Sequence, residues 1–336
     1  MATVRDVAKI ASVSTSTVSL ALSGSDKVSA KTRQRIWDAA KTVGYVPNPV
    51  AQSLARGHSD MIGMVIGDVS NPFIARFFKE VERISLKRGH MVIVSDTDTD
   101  PARELGILRH LKAQHVAGVL FTPYGNSPEY VEAVQEFKLP MVVLDHKIGP
   151  IDADFVATDH ELASAMLTEH VIRLGHRRIA HIAGNRGLYS AEQRLAGFRK
   201  TIAKAGLQVD EDLILYGEYD GDRAYECTMR LLTRPDRPTA IITANNMMGL
   251  GALKATMDLG VACPDEVSLA TIDDVPWGDV IRPRMTMAVQ PIADIARVSM
   301  EFLLERIKRR NELPIQPREH LFVPQLVIGQ SCARLG

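Results

Sequence analysis

After residue 58 the chain alternates short apolar runs with amphipathic helical stretches, and this alternation restricts the fold more than any other feature. Strands that alternate with helices form parallel sheets that are covered by helices on both faces. The 278 residues in this part are enough for two such lobes. The predicted strands are Ile62–Val65, Met91–Ser95, Gly118–Thr122, Met141–Leu144, Ile179–Ala183, Ala240–Thr243 and Val267–Ile272. The predicted helices are Pro72–Arg88, Ala102–Ala113, His160–Arg173, Ala191–Ala205 and Ile292–Arg310.

Composition excludes several classes of protein. Hydrophobic residues make up 46% of the chain and charged residues 24%, as in a globular rather than a disordered protein. No run reaches the roughly 18 apolar residues of a membrane span, and the N-terminus lacks the apolar core of a signal peptide. Cys227, Cys263 and Cys332 are far apart, which favours reduced thiols over a disulfide framework or a zinc site. We therefore expect a cytoplasmic protein without a membrane segment, cofactor or metal.

The charge of the chain is distributed unevenly. Residues 1–58 contain eight basic and three acidic residues, a net charge of +5, whereas the remainder carries −5. A short basic segment joined to an acidic body suggests a module with a polyanionic partner.

The first 46 residues read as three short helices. Thr3 followed by Asp6 resembles a capping box, Ser14 precedes a helical stretch from Thr15 to Leu22, and Ser29 precedes a third. In the first helix, Val7, Ala8, Ile10 and Ala11 are predicted to share one apolar face. Gly44 is a typical stop for the third helix, which is predicted to end near Val43. Two short helices with a tight turn and a supporting third are the geometry of a helix-turn-helix, although a generic helical bundle or a helical cap remains an alternative.

A helix-turn-helix places its second helix in the major groove. Thr15 and Ser16, at the start of that helix, can reach base edges, whereas Thr17 and Ser19 are more suited to phosphates.

Several segments closely resemble the headpiece of the lactose-repressor (LacI/GalR) family, and a weaker likeness extends along essentially the whole chain. The matching segments are Val4–Ala11, Val13–Ser19, Val28–Arg33, Gly44–Asn48 and Ala51–Ala55. The resemblance implies an N-terminal helix-turn-helix followed by a core of two doubly wound parallel-sheet lobes similar to a periplasmic sugar-binding protein. It also implies a homodimer that binds operator DNA and a small-molecule effector that binds between the lobes.

The DNA-contacting residues follow from the helix positions and the resemblance together. They are predicted to be Thr3, Ser14, Thr15, Ser16, Thr17, Ser19, Leu20, Ser29, Thr32, Tyr45, Asn48, Ala51 and Leu54. The chain departs from the family at Leu20, where arginine is frequent. Arginine reads guanine with two hydrogen bonds, while leucine offers only apolar contact, for example to a thymine methyl group.

The linker between headpiece and core carries two prolines, Pro47 and Pro49, which stop the third helix. Residues 50–56 can form only about two helical turns, which are unstable alone in water. In the resembled family this hinge helix enters the minor groove, where the leucine that matches Leu54 wedges into a base step and bends the duplex. Alternatively, Leu54 packs against the core domain and attaches the linker to it.

These observations predict three segments: residues 1–46 as the DNA-binding domain, 47–58 as the hinge linker and 59–336 as the effector-binding and dimerisation domain. Within the last, the first lobe is predicted to comprise about 59–158 and 291–318. The second lobe is predicted to comprise about 159–290 and 319–336.

Ligands of open parallel α/β folds bind beyond the carboxyl ends of the strands. The predicted effector-binding residues near such ends, or matching effector contacts of the family, are Asn71, Phe73, Asp159, Arg194, Tyr219, Asn245, Asp273 and Gln290. Asp273 and Asn245 have helix capping as an alternative role, and Trp277 is a further candidate for an aromatic face. Gly249 and Gly251 lack the third glycine of a dinucleotide fingerprint and are expected to serve helix packing.

We therefore expect a dimeric transcriptional regulator that represses carbohydrate-utilisation genes and whose DNA affinity is set by a sugar or sugar phosphate. A purine-responsive, corepressed regulator is an alternative, because Phe73 or Tyr219 can stack on a base. A sugar-binding protein without a DNA role is another, and an enzyme is disfavoured because no nucleophile–base pair is recognisable.

Overall fold

The computed structural model describes residues 2–22, 27–46, 59–275, 277–310, 312 and 315–335. The chain divides into two compact units, Met1–Met61 with Ala113–Ala117 and Ile62–Lys112 with Gly118–Gly336. The linker residues 47–58, which include Asn48, Ala51 and Leu54, lie outside the described residues.

Three short helices make up most of the first unit. The Ser14 hydroxyl accepts the Thr17 N–H at 3.1 Å, and the Ser29 hydroxyl accepts the Thr32 N–H at 3.3 Å. Gly44, at φ +66°, follows the third helix in a left-handed conformation that suits glycine. These features confirm the predicted helix order and stop signals. The helices are α1 (Val4–Ile10), α2 (Thr15–Leu22) and α3 (Ala30–Thr42).

The core of the first unit lies between these helices and includes the fully buried Val7, Val18 and Ile36. The prediction for Ile10 was wrong, since its side chain is half exposed. On a helix, residues 7, 8 and 11 project to one side, and residue 10 lies about 100° away from the centre of that face.

The second unit contains two sheets with helices between successive strands. Its strands are β1 (Met61–Ile66), β2 (Met91–Asp96), β3 (Gly118–Phe121), β4 (Met141–Leu144), β5 (Asp154–Thr158), β6 (Ile179–Ala183), β7 (Ile214–Tyr216), β8 (Ala240–Thr243), β9 (Ser268–Ile272), β10 (Thr286–Val289), β11 (Glu319–Phe322) and β12 (Gln325–Val327). Its helices are α4 (Pro72–Lys87), α5 (Pro101–Ala113), α6 (Pro128–Glu136), α7 (His160–Arg173), α8 (Tyr189–Lys204), α9 (Gly221–Leu232), α10 (Asn246–Leu259) and α11 (Ile292–Arg309).

Each sheet has six strands, and their order is that of a doubly wound fold. The first sheet runs β11-β5-β4-β3-β1-β2 and the second runs β12-β10-β9-β8-β6-β7. The pairs β1–β3, β3–β4, β4–β5, β6–β8 and β8–β9 are all parallel, while β12 is antiparallel to β10. The predicted fold class, a helical headpiece with a core of two parallel-sheet lobes, is confirmed.

The chain passes between the lobes three times. It leaves the first sheet after β5 for α7, which packs on the second sheet. It returns after β10 through Pro291 into α11, which packs on the first sheet, and crosses once more between β11 and β12. The first and third crossings are joined by a hydrogen bond of 2.9 Å from the Asp159 N–H to the Phe322 carbonyl.

The second lobe was predicted to resume at residue 319. This boundary was wrong, because β11 pairs in parallel with β5 of the first sheet. The apolar pattern also does not predict β5, β7, β10, β11 or β12. Strand β5 begins at Asp154, which is fully buried and pairs with Arg306 and Arg318, both at 2.8 Å. A charged residue at the start of the strand shortens its apolar run, and the two arginines that compensate it are more than 150 residues away.

Glycines let helices α9 and α10 pack with their backbones in contact. A Cβ atom on Gly251 would lie 2.0 Å from the carbonyl oxygen of Gly221, and one on Gly249 would lie 2.8 Å from the Thr271 hydroxyl. Helix packing is thus the structural role of this glycine pair.

We expect Gly251→Ala to lower the free energy of unfolding by about 1–3 kcal/mol, because the methyl group meets rigid backbone and forces the two helices apart. Gly106→Ala is the matched control, since no atom lies within 4 Å of a Cβ there and alanine favours the helix by about 1 kcal/mol. Urea unfolding monitored by circular dichroism measures both. Equal stability of the two variants would contradict the close packing.

Candidate functional site

The carboxyl ends of the parallel strands of both lobes surround one cavity of about 250 Å³. Each lobe contributes polar side chains from the loops that follow its strands. Seven of the eight residues predicted to bind effector line this cavity: Asn71, Phe73, Arg194, Tyr219, Asn245, Asp273 and Gln290.

Arg194 is the cavity-lining cation and is only 3% exposed. It lies on α8, donates through Nη1 to the Ala244 carbonyl and through Nη2 to His160 Nδ1 at 3.2 Å. Its Cζ lies 5.5 Å from the centre of the Tyr219 ring. Burial disfavours its charge, but Tyr219 and nearby carboxylates act more strongly, so the pKa of Arg194 is raised.

Asp145, directly after β4, links the first lobe to Arg194. Its Oδ1 lies 3.0 Å from His160 Nε2, and its Oδ2 lies 3.6 Å from His146 Nδ1. Burial raises the pKa of Asp145, but the two histidines outweigh this effect and the net pKa is lowered. Burial also lowers the pKa of His146 to about 4, against the attraction of Asp145. A continuous polar chain, Asp145–His160–Arg194, therefore runs from one lobe into the other.

Asp273 and Gln290 form a second buried pair. Gln290 Nε2 donates to both carboxylate oxygens of Asp273, at 2.9 and 3.1 Å. Burial raises the pKa of Asp273 to about 6, although Arg194 and the amide of Gln290 favour its ionised form. The side chain of Asp273 bonds an amide and lines the cavity, which favours the binding interpretation over helix capping.

Two tyrosine rings lie against glycines, one in each lobe. A Cβ on Gly67 would be 2.3 Å from the Tyr124 ring, and a Cβ on Gly184 would be 2.4 Å from the Tyr219 ring. The Tyr219 hydroxyl hydrogen-bonds to Ser190 Oγ at 2.6 Å. The glycines that follow β1 and β6 therefore make room for the two aromatic walls of the cavity.

Asn71 and Asn245 serve the fold and the cavity together. The Asn71 side chain accepts the Phe73 N–H at 2.9 Å and caps α4, while Asn245 accepts the Met248 N–H at 2.8 Å and caps α10. Asn245 Nδ2 also donates to the Tyr219 carbonyl at 3.2 Å. Capping and cavity lining are thus not exclusive at these residues.

The structure does not place Asp159 in the cavity. Its carboxylate caps α7 by accepting the Leu162 N–H at 2.8 Å, at the first crossing between the lobes. Trp277 is also absent from the cavity lining and is half exposed. The strand-end rule placed Asp159 near the site, but the carboxylate is used by the helix that begins there.

Sequence reasoning missed Tyr124, Asp145 and His146, all of which line the cavity. Asp145 and His146 directly follow the predicted strand Met141–Leu144, so the same strand-end rule would have found them. The sequence analysis also assigns no site role to His160, because its contact with Arg194 joins two helices that are separate in sequence.

A buried carboxylate supports the cavity loop that carries Tyr124. Glu104 is fully buried and accepts the backbone N–H of Tyr124 at 2.9 Å and of Gly125 at 3.4 Å, while the Tyr130 hydroxyl also donates to it. Burial raises the pKa of Glu104 to about 7, and these hydrogen bonds oppose the shift.

The headpiece presents polar side chains on one exposed helix. Thr15, Ser16, Ser19 and Leu20 of α2 are all exposed, as base or phosphate contacts require. Thr17 is half-buried, and its hydroxyl hydrogen-bonds to the capping Ser14 at 2.7 Å.

The other predicted DNA contacts that the structure describes have local structural roles. Ser29 caps α3 and hydrogen-bonds to the Thr32 hydroxyl, and Thr3 donates to Asp6 from its N–H and hydroxyl, both at 2.8 Å. Tyr45 packs partly buried against the headpiece core. Within the described part of the chain, none of the helices combines the length and apolar character needed to cross a bilayer.

A helix-turn-helix unit and a two-lobed α/β unit with a polar interlobe cavity define the class of ligand-responsive DNA-binding regulators. Residues 3–48 match the family described as bacterial regulatory proteins, lacI family, and residues 168–332 match a periplasmic binding protein-like domain. The chain belongs to the lacI family and is a DNA-binding transcriptional regulator with an effector-binding domain.

Similarity extends over nearly the whole chain. The HTH-type transcriptional repressor PurR of Haemophilus influenzae (strain PittEE) is 32% identical over 333 residues, 98% of each protein. The ribose operon repressor of Halalkalibacterium halodurans is 31% identical over 335 residues, 98% of this chain and 97% of the relative. The structure of the Lac repressor dimer bound to operator and the anti-inducer ONPF matches with a TM-score of 0.82 and 27% identity, covering 99% of each chain.

Glu104→Gln should change how stability depends on pH. The folded-state pKa of Glu104 is raised from 4.5 to about 7, so its stabilising effect is complete below pH 4.5 and is lost as the pH rises through 7. The unfolding free energy of wild type relative to Glu104→Gln should therefore fall between about pH 4.5 and about pH 7 in urea titrations.

Glu132→Gln, at an exposed position on the neighbouring helix α6, is the control and should follow the wild-type pH profile. A constant difference between wild type and Glu104→Gln across this range would show that Glu104 is ionised throughout.

Proposed function

We propose that this protein represses carbohydrate-utilisation genes by binding a near-palindromic operator as a homodimer, with its affinity set by a sugar or sugar phosphate in the interlobe cavity. The cavity that brings Arg194 of helix α8 together with Asn245 and Asp273 from two strand ends is the observation that carries this proposal. A cytoplasmic location and a binding role without catalysis follow from the same proposal.

The chemistry of the cavity suits a polyol. Carboxylate and amide oxygens accept hydroxyl hydrogens, amide and guanidinium N–H groups donate to hydroxyl oxygens, and aromatic rings cover the apolar face of a sugar. Asp145, Asp273 and Asn245 offer the first two functions, and Phe73 and Tyr219 offer rings.

The three crossings between the lobes supply a route from effector to operator. A ligand that contacts both lobes stabilises one angle between them, and in a dimer this angle sets the separation of the two headpieces. Coupling of this kind is typically about 1–3 kcal/mol, or about 5- to 150-fold in operator affinity.

At the operator, we propose that Thr15, Ser16 and Leu20 face base edges, with Leu20 making an apolar contact such as a thymine methyl group. Thr3, Ser14, Thr17, Ser19, Ser29, Thr32, Tyr45 and Asn48 would then position the headpiece on phosphates. Ala51 and Leu54 are proposed to enter the minor groove, where Leu54 acts as the wedge.

The first lobe offers a surface for the second subunit. Strand β2 lies at the edge of its sheet, and Met91, Ile93 and the nearby Leu86 at the end of α4 expose 68%, 37% and 60% of their surface. An exposed apolar edge strand is a template for pairing with another chain, so its burial in a dimer is favourable.

A purine effector is the second candidate. It is supported by the similarity to PurR and by the rings of Phe73 and Tyr219, which can stack on a base. A thermal-shift screen of sugars, sugar phosphates and purines decides between them, because a cavity ligand raises Tm by mass action. Gel shifts with genomic fragments at several salt concentrations then test operator binding, which should weaken steeply with salt.

Arg194→Ala should abolish the Tm shift and the effector response of the gel shift while operator binding without effector persists, because a cavity donor is lost and the headpiece is untouched. Arg199→Ala on the same helix is the control, since that guanidinium pairs with Glu211 near the surface at 2.6 Å. A normal effector response in Arg194→Ala would remove this residue from the site.

Ile93→Glu should shift the protein toward monomers in analytical ultracentrifugation and weaken operator binding by at least about tenfold, because a charge opposes burial at the dimer surface. Leu321→Glu, on the opposite edge strand β11, should leave the dimer intact. A stable Ile93→Glu dimer would place the interface elsewhere.

A further inference from the structure

The charges that face the interlobe cavity are mostly negative. Among the described residues that line it are six carboxylates and a single arginine, Arg194, with no lysine. His146 does not offset this excess, because burial keeps it neutral near pH 7 with a pKa of about 4. The carboxylates are Asp68, Asp98, Asp145, Glu218, Asp220 and Asp273.

Part of this negative charge is already balanced. Glu218 forms an ion pair with Arg223, and Asp145 lies beside His160. Asp68 and Asp98 remain at the cavity with exposed side chains. An incoming anion therefore meets like charge on its way to Arg194.

Helix N-termini are the other usual anion-binding groups, and three of those beside the cavity carry a side-chain cap. One first-turn N–H group in each of α4, α9 and α10 donates to the side chain of Asn71, Asp220 and Asn245, respectively, at 2.8–2.9 Å. These three capping residues line the cavity themselves. At each of these three ends, the capping oxygen accepts an N–H group that a phosphate oxygen would otherwise accept.

Arg194 is also committed to protein partners. Two of its nitrogens donate to the Ala244 carbonyl and to His160, and the carboxylates of Asp145 and Asp273 favour its charged form. A phosphate would have to share the guanidinium with these partners inside a site where burial already disfavours charge.

From these observations we infer that the effector carries no phosphate or carboxylate group and is an unphosphorylated sugar. This inference rests on the proposed sugar-responsive function and narrows it. The cavity volume of about 250 Å³ lies below the roughly 300–1,000 Å³ of drug-sized ligand pockets, which fits a ligand of about one sugar ring.

Three cavity-lining residues carry a buried polar atom that has no hydrogen-bond partner among the described residues. These atoms are Arg194 Nε, Thr158 Oγ1 and His146 Nδ1. A hydroxyl group both donates and accepts, so a neutral polyol suits such atoms without bringing charge into the site.

Matched pairs of ligands test the inference on the full-length dimer. Pentoses and hexoses are compared with their own phosphate esters by thermal shift, and each hit is measured by isothermal titration calorimetry. The hit is expected among the free sugars, and its phosphate ester should bind at least about 100-fold more weakly. A phosphate ester that binds as tightly as its parent sugar, or more tightly, overturns the inference while the sugar-responsive function stands. If purines bind and no sugar of either kind does, the proposed function itself fails, and the inference with it.

A variant separates charge repulsion from simple lack of space. Asp98→Asn removes a cavity carboxylate and keeps a residue that tolerates its positive φ of 52°. The ratio of the dissociation constant of the phosphate ester to that of the free sugar should fall by about threefold or more, and it should also fall with added salt. Glu82→Gln, an exposed carboxylate of α4 outside the cavity lining, should leave the ratio unchanged. An unaltered ratio in Asp98→Asn and in high salt would attribute the discrimination to size and overturn the electrostatic account.

Discussion

The charge of Arg194 in the interior of the second unit is the interaction on which the cavity depends. A buried guanidinium is stable only when its hydrogen bonds and its charge are both compensated. The Ala244 carbonyl and His160 accept hydrogen bonds from it, and the carboxylates of Asp145 and Asp273 favour its ionised state. These groups come from both lobes, so the compensation of one charge also fixes the relative position of loops that are far apart in sequence.

Several cavity residues also cap the N-termini of helices, which links the proposed effector recognition to the stability of the fold. Asn71, Asn245 and Asp220 each satisfy a backbone N–H of the helix that they precede, and loss of such a cap typically costs about 1 kcal/mol. Replacing one of them therefore changes the fold and the ligand contacts together. Arg194 and Gln290 have no capping role, so substitutions there leave the helix ends intact.

Periodicity predicted the alternating elements and most strand positions, because buried parallel strands such as Met141–Leu144 are continuous apolar runs. It failed at β5, where the buried Asp154 is compensated by Arg306 and Arg318 from distant segments. Positions at strand ends and the family resemblance together located seven cavity residues, but the strand-end argument also included Asp159, whose carboxylate caps α7. Local sequence shows that a polar residue follows a strand, but only the tertiary structure decides whether its side chain serves the cavity or the next helix.

The three crossings between the lobes have a mechanical consequence. Lobes joined by three covalent connections cannot slide apart, so their easiest relative motion is rotation about an axis close to those connections. Gln290 lies beside the second crossing and donates hydrogen bonds to Asp273, which places a proposed ligand contact close to this axis. A displacement of a fraction of an ångström there becomes a larger displacement at the far end of the lobe, in proportion to its distance from the axis. A small rotation at the ligand is therefore amplified into a larger movement at the far end of the lobe.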